Sequence, residues 1–284
     1  MKRVILLLVF AMLLVGVQVP LTRVRDSRPV TARLGFFPPA PLIKALGADQ
    51  YQFLSQVISL QCLIYFGTLV EERRQVPDLN RLHEALYTAS RLDPYNMDVY
   101  YFAQAVLTWE TGMTRQAVEL LEYGFSHRTW DWYLPFFLSF DYAFFFKDYK
   151  KAGEYLSKAA KLNPNAGWFS TLAARFFYEG GSTALGLAYL QEMISETRNE
   201  AVRKQMITRA EALEGILALE EAIAVYQEHF HSTPANLEAL VQAGIIERIP
   251  DDPYGGTFYL DDQGVVRTTS KLAFGKRTDG SHKN

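Results

Sequence analysis

Cysteine is almost absent from this sequence of 284 residues. Cys62 is the only one, so no intramolecular disulfide can form and no cysteine-based metal site can be built. Its apolar setting, LQCLIYF, marks it as a small buried hydrophobe and not a reactive thiol. Net charge is nearly absent as well, −2 at neutral pH, so nothing global draws the chain to nucleic acid or to an anionic surface. Catalytic signatures are missing: no G-x-S-x-G, P-loop, H-E-x-x-H or dinucleotide fingerprint occurs. The five histidines are His83, His127, His229, His231 and His282. His229 and His231 stand two apart at a helix end, on different faces, and do not pair as metal ligands. Gly180-Gly181 reads as an inter-helix turn, not a phosphate cradle. These absences predict a protein that is not an enzyme, with no cofactor, no metal and no small-molecule substrate.

Apolar residues are plentiful, 49% of the chain, which suffices for a large core; the 14% aromatic share is high and needs a structural reason. The N-terminus carries the clearest local signal. Lys2 and Arg3 precede an uncharged run from Val4 to Leu21, and Arg23, Arg25 and Arg28 follow it. Eighteen such residues rise about 27 Å as a helix, enough to cross a hydrocarbon core. The exit, VGVQVP, is a poor signal-peptidase site and no cysteine follows for lipid attachment, so an uncleaved anchor is expected over a cleaved signal. Basic residues on both flanks blur the orientation, but the short basic start favours a bacterial inner-membrane, single-pass protein with a periplasmic body.

Residues 23–41 read as a Pro-rich linker, because Pro29, Pro38, Pro39 and Pro41 cannot continue a helix, and Phe36-Phe37 is placed at the membrane interface. Beyond Pro41 the pattern turns helical for almost two hundred residues. Phe53, Val57, Leu60 and Ile64 form one apolar row, widened by Leu54, Ile58, Tyr65 and Leu69.

Laid against itself, the chain repeats. Ala152, Leu156, Ala159 and Pro164 give A-x3-L-x2-A-x4-P, and Leu82, Leu86, Ala89 and Pro94 share that spacing. Ala117, Leu121 and Gly124 fall between them, and Gly186, Leu190 and Met193 follow, at steps of 35, 35 and 34 residues. This pattern resembles the second helix of the tetratricopeptide repeat. Small side chains there let paired helices approach closely, and proline ends the pair. The first-helix W-x2-L-G-x2-Y signature is nearly absent; only Ala105, Phe140 and Ala174 fall where its small or apolar packing residue stands. Leu82 and Met193 replace small residues, and the second repeat ends in His127-Arg128-Thr129-Trp130 without a closing proline.

The segment Trp130 to Tyr149, WDWYLPFFLSFDYAFFFKDY, supplies much of the aromatic excess and falls on one repeat's first helix. The resemblance implies that such helices line a concave face, so the rings could grip an extended or helical ligand. More rings are present than one face can expose, so most are expected to fill the inter-helix core in place of the missing consensus Trp and Tyr, with one or two facing the concave surface. Groove candidates are Trp132, Phe136, Phe140 and Phe144. A second membrane span is excluded here by length and by Asp131, Asp141 and Lys147.

From Glu200 to about Phe230 a long amphipathic helix is expected to cap the array. Thr233-Pro234 then starts a short helix, Gly244 ends it, and Thr257–Leu260 and Val265–Thr268 read as strands around the turn Asp261-Asp262-Gln263-Gly264. Pro234, Leu237 and Leu240, with Pro250, Asp252, Pro253, Gly255 and Gly256, make this tail resemble the C-terminal part of major pseudopilins of type II secretion. The prepilin cleavage site and helical stem of those proteins are lacking, so the resemblance implies a shared segment and not a fibre subunit. In pseudopilins that loop can bind calcium; Asp251, Asp252, Asp261 and Asp262 are possible oxygen donors, though acidic turn residues are more often simply solvated.

The expected architecture is mainly α: a TPR-like helical-hairpin solenoid after an N-terminal transmembrane helix, with a small C-terminal helix plus β-hairpin. Its segments are an anchor or signal (1–22), a linker (23–41), helical repeats (42–198), a capping helix (199–231), a pseudopilin-like tail (232–272) and a disordered C-terminus (273–284). The expected function is a membrane-anchored protein–protein interaction scaffold for an envelope assembly such as a pilus, secretion or export system. The alternative is a periplasmic chaperone or assembly factor holding helical or unfolded clients in the aromatic groove. Partners are therefore proteins, probed alongside a membrane attachment and without nucleic acid.

Overall fold

The computed structural model describes residues 2–26, 34–46, 49–72 and 78–270, with the side chains of 2–9, 11, 25–26 and 69–72 left out. The described chain is mainly helical, and it falls into two compact units that divide between Arg128 and Thr129. The first helix, α1 (Lys2–Asp26), contains Pro20, and its described apolar side chains, Phe10, Met12 to Val15, Val17, Val19, Leu21 and Val24, are all exposed. Among the described residues no helix is long and apolar enough to cross a membrane. Val4 to Val9, the first third of the expected anchor, lie outside the described side chains.

The rest of the first unit holds α2 (Ala40–Leu46), α3 (Tyr51–Glu72), α4 (Leu79–Leu92), α5 (Met97–Ala103) and α6 (Thr114–His127). The end of the linker is not loose, since Leu34 and Ala40 are buried and Phe37 packs against the same core. Of the Phe36-Phe37 pair expected at a membrane interface, only Phe36 is exposed. Asp78 caps α4 by accepting from Arg81 N–H at 3.1 Å, and Asn96 caps α5 through Asp98 N–H at 3.1 Å.

The apolar row of α3 splits, with its widening members Ile58 and Tyr65 turned inward and most of its central members outward. Buried residues are Ser55, Ile58, Ser59, Cys62 and Tyr65, whereas Phe53, Leu60 and Ile64 are exposed. The reason lies in two small hydroxyl residues that hydropathy undervalues. Ser55 Oγ donates to the Ala89 carbonyl at 2.9 Å and accepts from Asn96 Nδ2 at 3.2 Å, joining α3, α4 and the start of α5. Burial pushes the Cys62 thiol up to about 12, so it is an inert packing group.

The second unit runs through α7 (Tyr133–Asp141), α8 (Tyr149–Leu162), α9 (Trp168–Glu179), α10 (Thr183–Glu196) and α11 (Glu200–Phe230). Each of these helices packs on the next, and α9 also touches α11, the neighbour-on-neighbour stacking of a helical-hairpin repeat. The repeat positions coincide with buried faces: Leu82, Leu86 and Ala89 on α4; Ala117, Leu121 and Gly124 on α6; Ala152, Leu156 and Ala159 on α8; Gly186, Leu190 and Met193 on α10. Their small size has a direct cause. A Cβ on Gly124 would lie 2.7 Å from the Tyr100 ring, and one on Gly186 would lie 2.9 Å from the Ala174 carbonyl oxygen.

First helices break the expected register where they are not regular α-helix. α5 continues as a π-helical stretch, Gln104–Glu110, and α7 continues as Tyr142–Phe146. A π-turn adds a residue and swings every later side chain round the axis. Ala105, expected to pack, is consequently exposed while Ala103 is buried. Phe140, ahead of the second π-helical stretch, is half-buried. α9 has no such interruption, and Ala174 is fully buried as expected.

The C-terminal tail is not a separate body. Its helix is short, α12 (Glu238–Gln242), and starts later than Thr233-Pro234 suggested because Asn236 Oδ1 accepts from Ala239 N–H at 3.0 Å. Gly244 ends it at φ +68°. Strands β1 (Phe258–Leu260) and β2 (Val266–Thr268) pair antiparallel, Phe258 opposite Thr268 and Leu260 opposite Val266. Phe258 and Val266 enter the core built by α8 to α11, with Phe258 against Gly215. Tyr178 Oη of α9 donates to the Val266 carbonyl at 2.7 Å, and Arg267 reaches Glu179 at 2.9 Å and Asp261 at 3.2 Å. Tyr178→Phe is expected to cost about 0.5–1.5 kcal/mol in urea unfolding, because the buried carbonyl loses its donor. An unchanged midpoint would mean the tail does not depend on this bond.

Candidate partner-binding surface

The aromatic segment occupies α7 and the π-helical stretch behind it, which Lys147 closes in the left-handed region at φ 56°. Its core face is aliphatic. Leu134 and Leu138 are fully buried, with Pro135 and Ser139 beside them. None of the phenylalanines of the segment is fully buried. The rings thus divide between helix packing and the surface.

The four candidates separate into two pairs. Trp132 and Phe136 turn toward α9. Phe136 stacks on Phe169 at 5.4 Å, Trp132 lies 5.5 Å from Phe169, and Trp168 meets Phe136 edge-on at 6.1 Å. Both are half-buried in the second unit's core, so they serve helix packing. Phe140 and Phe144 form the other pair, stacked at 5.5 Å with their planes 17° apart. Phe144 is 50% exposed, sits 5.0 Å from Phe145, and carries Lys147 Nζ over its ring at 5.1 Å.

The spacing of the four candidates explains the split. A step of four residues drifts by about 40° on a 3.6-residue helix, so 132, 136 and 140 spiral from one face to another, and the wider π-helical turn keeps Phe144 beside Phe140. The set that stays on one face is Tyr133, Phe137, Phe140 and Phe144, at steps of four, three and four. Tyr133 is exposed and lies 6.1 Å from Phe137. The four candidates left out Tyr133 and Phe137, although placing Leu134 and Leu138 in the core would have pointed to them. The surface so formed is apolar, ring-faced and edged by a cation, the chemistry of a protein-binding patch.

The acidic turn residues do not gather. Asp252 accepts from Thr268 Oγ1 and from Tyr254 N–H at 2.8 Å. Asp261 accepts from the N–H groups of Gln263 and Val265, both at 2.9 Å. Partial burial acts to raise the Asp261 carboxyl, but those amides and the Arg267 guanidinium outweigh it and hold the carboxyl below its ordinary range. Among the described residues no group of three or more His, Cys, Asp or Glu could hold a metal ion. A recess of about 520 Å³ lies elsewhere, between the α8–α9 and α10–α11 turns, lined by Lys161, Asn163, Asn165, Arg198 and Asn199 among others; the aromatic candidates do not line it.

No family model matches the chain, and no curated protein matches it. Among solved structures the chain is similar to YrrB, described as a TPR protein with an unusual peptide-binding site. The identity is 16%, covering 72% of this chain and 97% of that one, with a TM-score of 0.36. The helical-hairpin repeat assignment rests on the packing of this chain's own helices.

Proposed function

We propose that this protein is a membrane-held scaffold that binds other proteins through the outward rings of α7, in the service of a bacterial envelope assembly. The observation that carries the binding half is the division of labour on α7: buried leucines hold the helix, and Phe144 remains half exposed beside Phe140. Phe144 stands in a cluster of rings with Phe140 and Phe145, and clustered apolar surface, unlike a lone exposed ring, marks a protein contact. Support for the membrane half comes from α1, in which every described apolar side chain is exposed and no charge falls between Phe10 and Thr22. A helix of that kind belongs in lipid or in a protein core. The likeness of the tail to pseudopilins, at Pro250, Asp252, Pro253, Gly255 and Gly256, favours pilus, secretion or export systems.

Carbonate washing of membranes is expected to leave the full-length chain in the pellet. A mature N-terminus beginning after residue 18, or release into the wash, would refute the anchor. Capture from detergent extract should then return one fixed complex; a broad set of unfolded clients would instead mark a chaperone.

A further inference from the structure

The charge around the outward rings of α7 is one-sided, although the whole chain carries only −2. From Asp131 to Lys151 the sequence holds three acidic residues and three lysines. Folding sorts them. Asp131 is buried and its Oδ1 accepts from Tyr133 N–H at 3.0 Å, while Asp141 has no exposed surface. Asp148 is occupied by α8: its Oδ1 accepts from Lys151 N–H at 3.1 Å as the helix cap, and its Oδ2 lies 3.8 Å from Lys151 Nζ. Lys147, Lys150 and Lys151 are all exposed. Among the described residues Lys147 and Lys150 make no ion pair. The acids are turned inward or engaged, and the cations face outward.

Lys147 is the cation that meets the outward rings. Its Nζ stands 5.1 Å from the Phe144 centroid, and Phe144 stacks on Phe140. Its backbone, at φ 56°, lies in the left-handed region where glycine is the unstrained choice. Backbone geometry therefore does not ask for a lysine there. An apolar face edged by unpaired ammonium groups is complementary to an apolar segment with carboxylates at its margin. A basic segment would meet like charge and be turned away. We propose that the segment seated on the outward rings of α7 is acidic, an apolar stretch of a partner protein edged by aspartate or glutamate. The proposal rests on the reading of those rings as the binding surface.

A pair of short synthetic peptides tests it against the full-length chain in non-ionic detergent, read by fluorescence anisotropy. Both carry leucine and phenylalanine on one helical face; one is flanked by glutamate and the other by lysine. The glutamate peptide should bind at least ~10-fold tighter, and the gap should narrow as salt rises. Lys147→Glu should shrink the gap by roughly threefold or more. Lys147→Gly suits φ 56° and should melt at or above the parent while losing part of the preference, so that loss is not one of folding. Equal affinities, a preference for the lysine peptide, binding of neither, or a preference that Lys147→Glu leaves intact overturns the acidic partner. The ring surface itself fails separately, if Phe144→Ala leaves capture of the partner undiminished.

Discussion

Leu138→Ala is expected to destabilise the protein by about 2–5 kcal/mol, whereas Phe144→Ala should cost less than about 1 kcal/mol. Leu138 has no exposed surface and removing its three carbons leaves a cavity that the packed second unit can only partly close. Phe144 already shows half its surface to solvent, and its stacked neighbour Phe140 can take up the space. The contrast is the point, because both residues sit on one helical segment and the more hydrophobic ring is the cheaper to remove. Urea unfolding followed by circular dichroism reads both. Equal losses would mean that the rings hold the fold.

The second large effect is expected at the small positions of the repeat. Gly186→Ala should cost about 1–3 kcal/mol, even though alanine is the better helix former by about 1 kcal/mol. The added Cβ would stand 2.9 Å from the Ala174 carbonyl oxygen and 3.2 Å from Phe177 Cβ, and a backbone oxygen cannot rotate away. α9 and α10 would have to separate. Ala152→Leu and Ala159→Leu should overpack α8 by a similar amount, since both residues are fully buried. A thermal midpoint for Gly186→Ala at or above that of the parent would show that the two helices do not approach as closely as described.

What the sequence made legible follows from which forces leave a periodic trace. The second helices repeat small and leucine residues at a constant step, and each of those positions is buried. The long helix α11 ends within the expected bounds because Asn199 accepts from Ala201 and Val202 N–H at its start. Gly264, at φ +76°, fixes the hairpin turn between Leu260 and Val266. The errors also have physical reasons. On α3 the core side is lined by Ser55 and Ser59 as well as Ile58, Cys62 and Tyr65, so hydropathy alone does not pick it out. After α5 the π-helical stretch shifts the phase, which no hydropathy pattern records. The tail read as a segment shared with other proteins, and the sequence held no sign of its attachment through Tyr178 and Glu179, some 88 residues away from their partners. Of the groove candidates, Trp132 and Phe136 pack on α9, while Phe140 and Phe144 remain as surface rings beside Tyr133 and Phe137.

The most direct measurement compares partner capture by the parent and by Phe144→Ala from the same detergent extract, at matched amounts of folded protein. The expected result is a complex weakened by at least about tenfold, as for an interface anchor, with a melting temperature within a degree or two of the parent. Capture that is undiminished in Phe144→Ala, and again in Phe140→Ala, would contradict the claim that the outward rings of α7 are the binding surface.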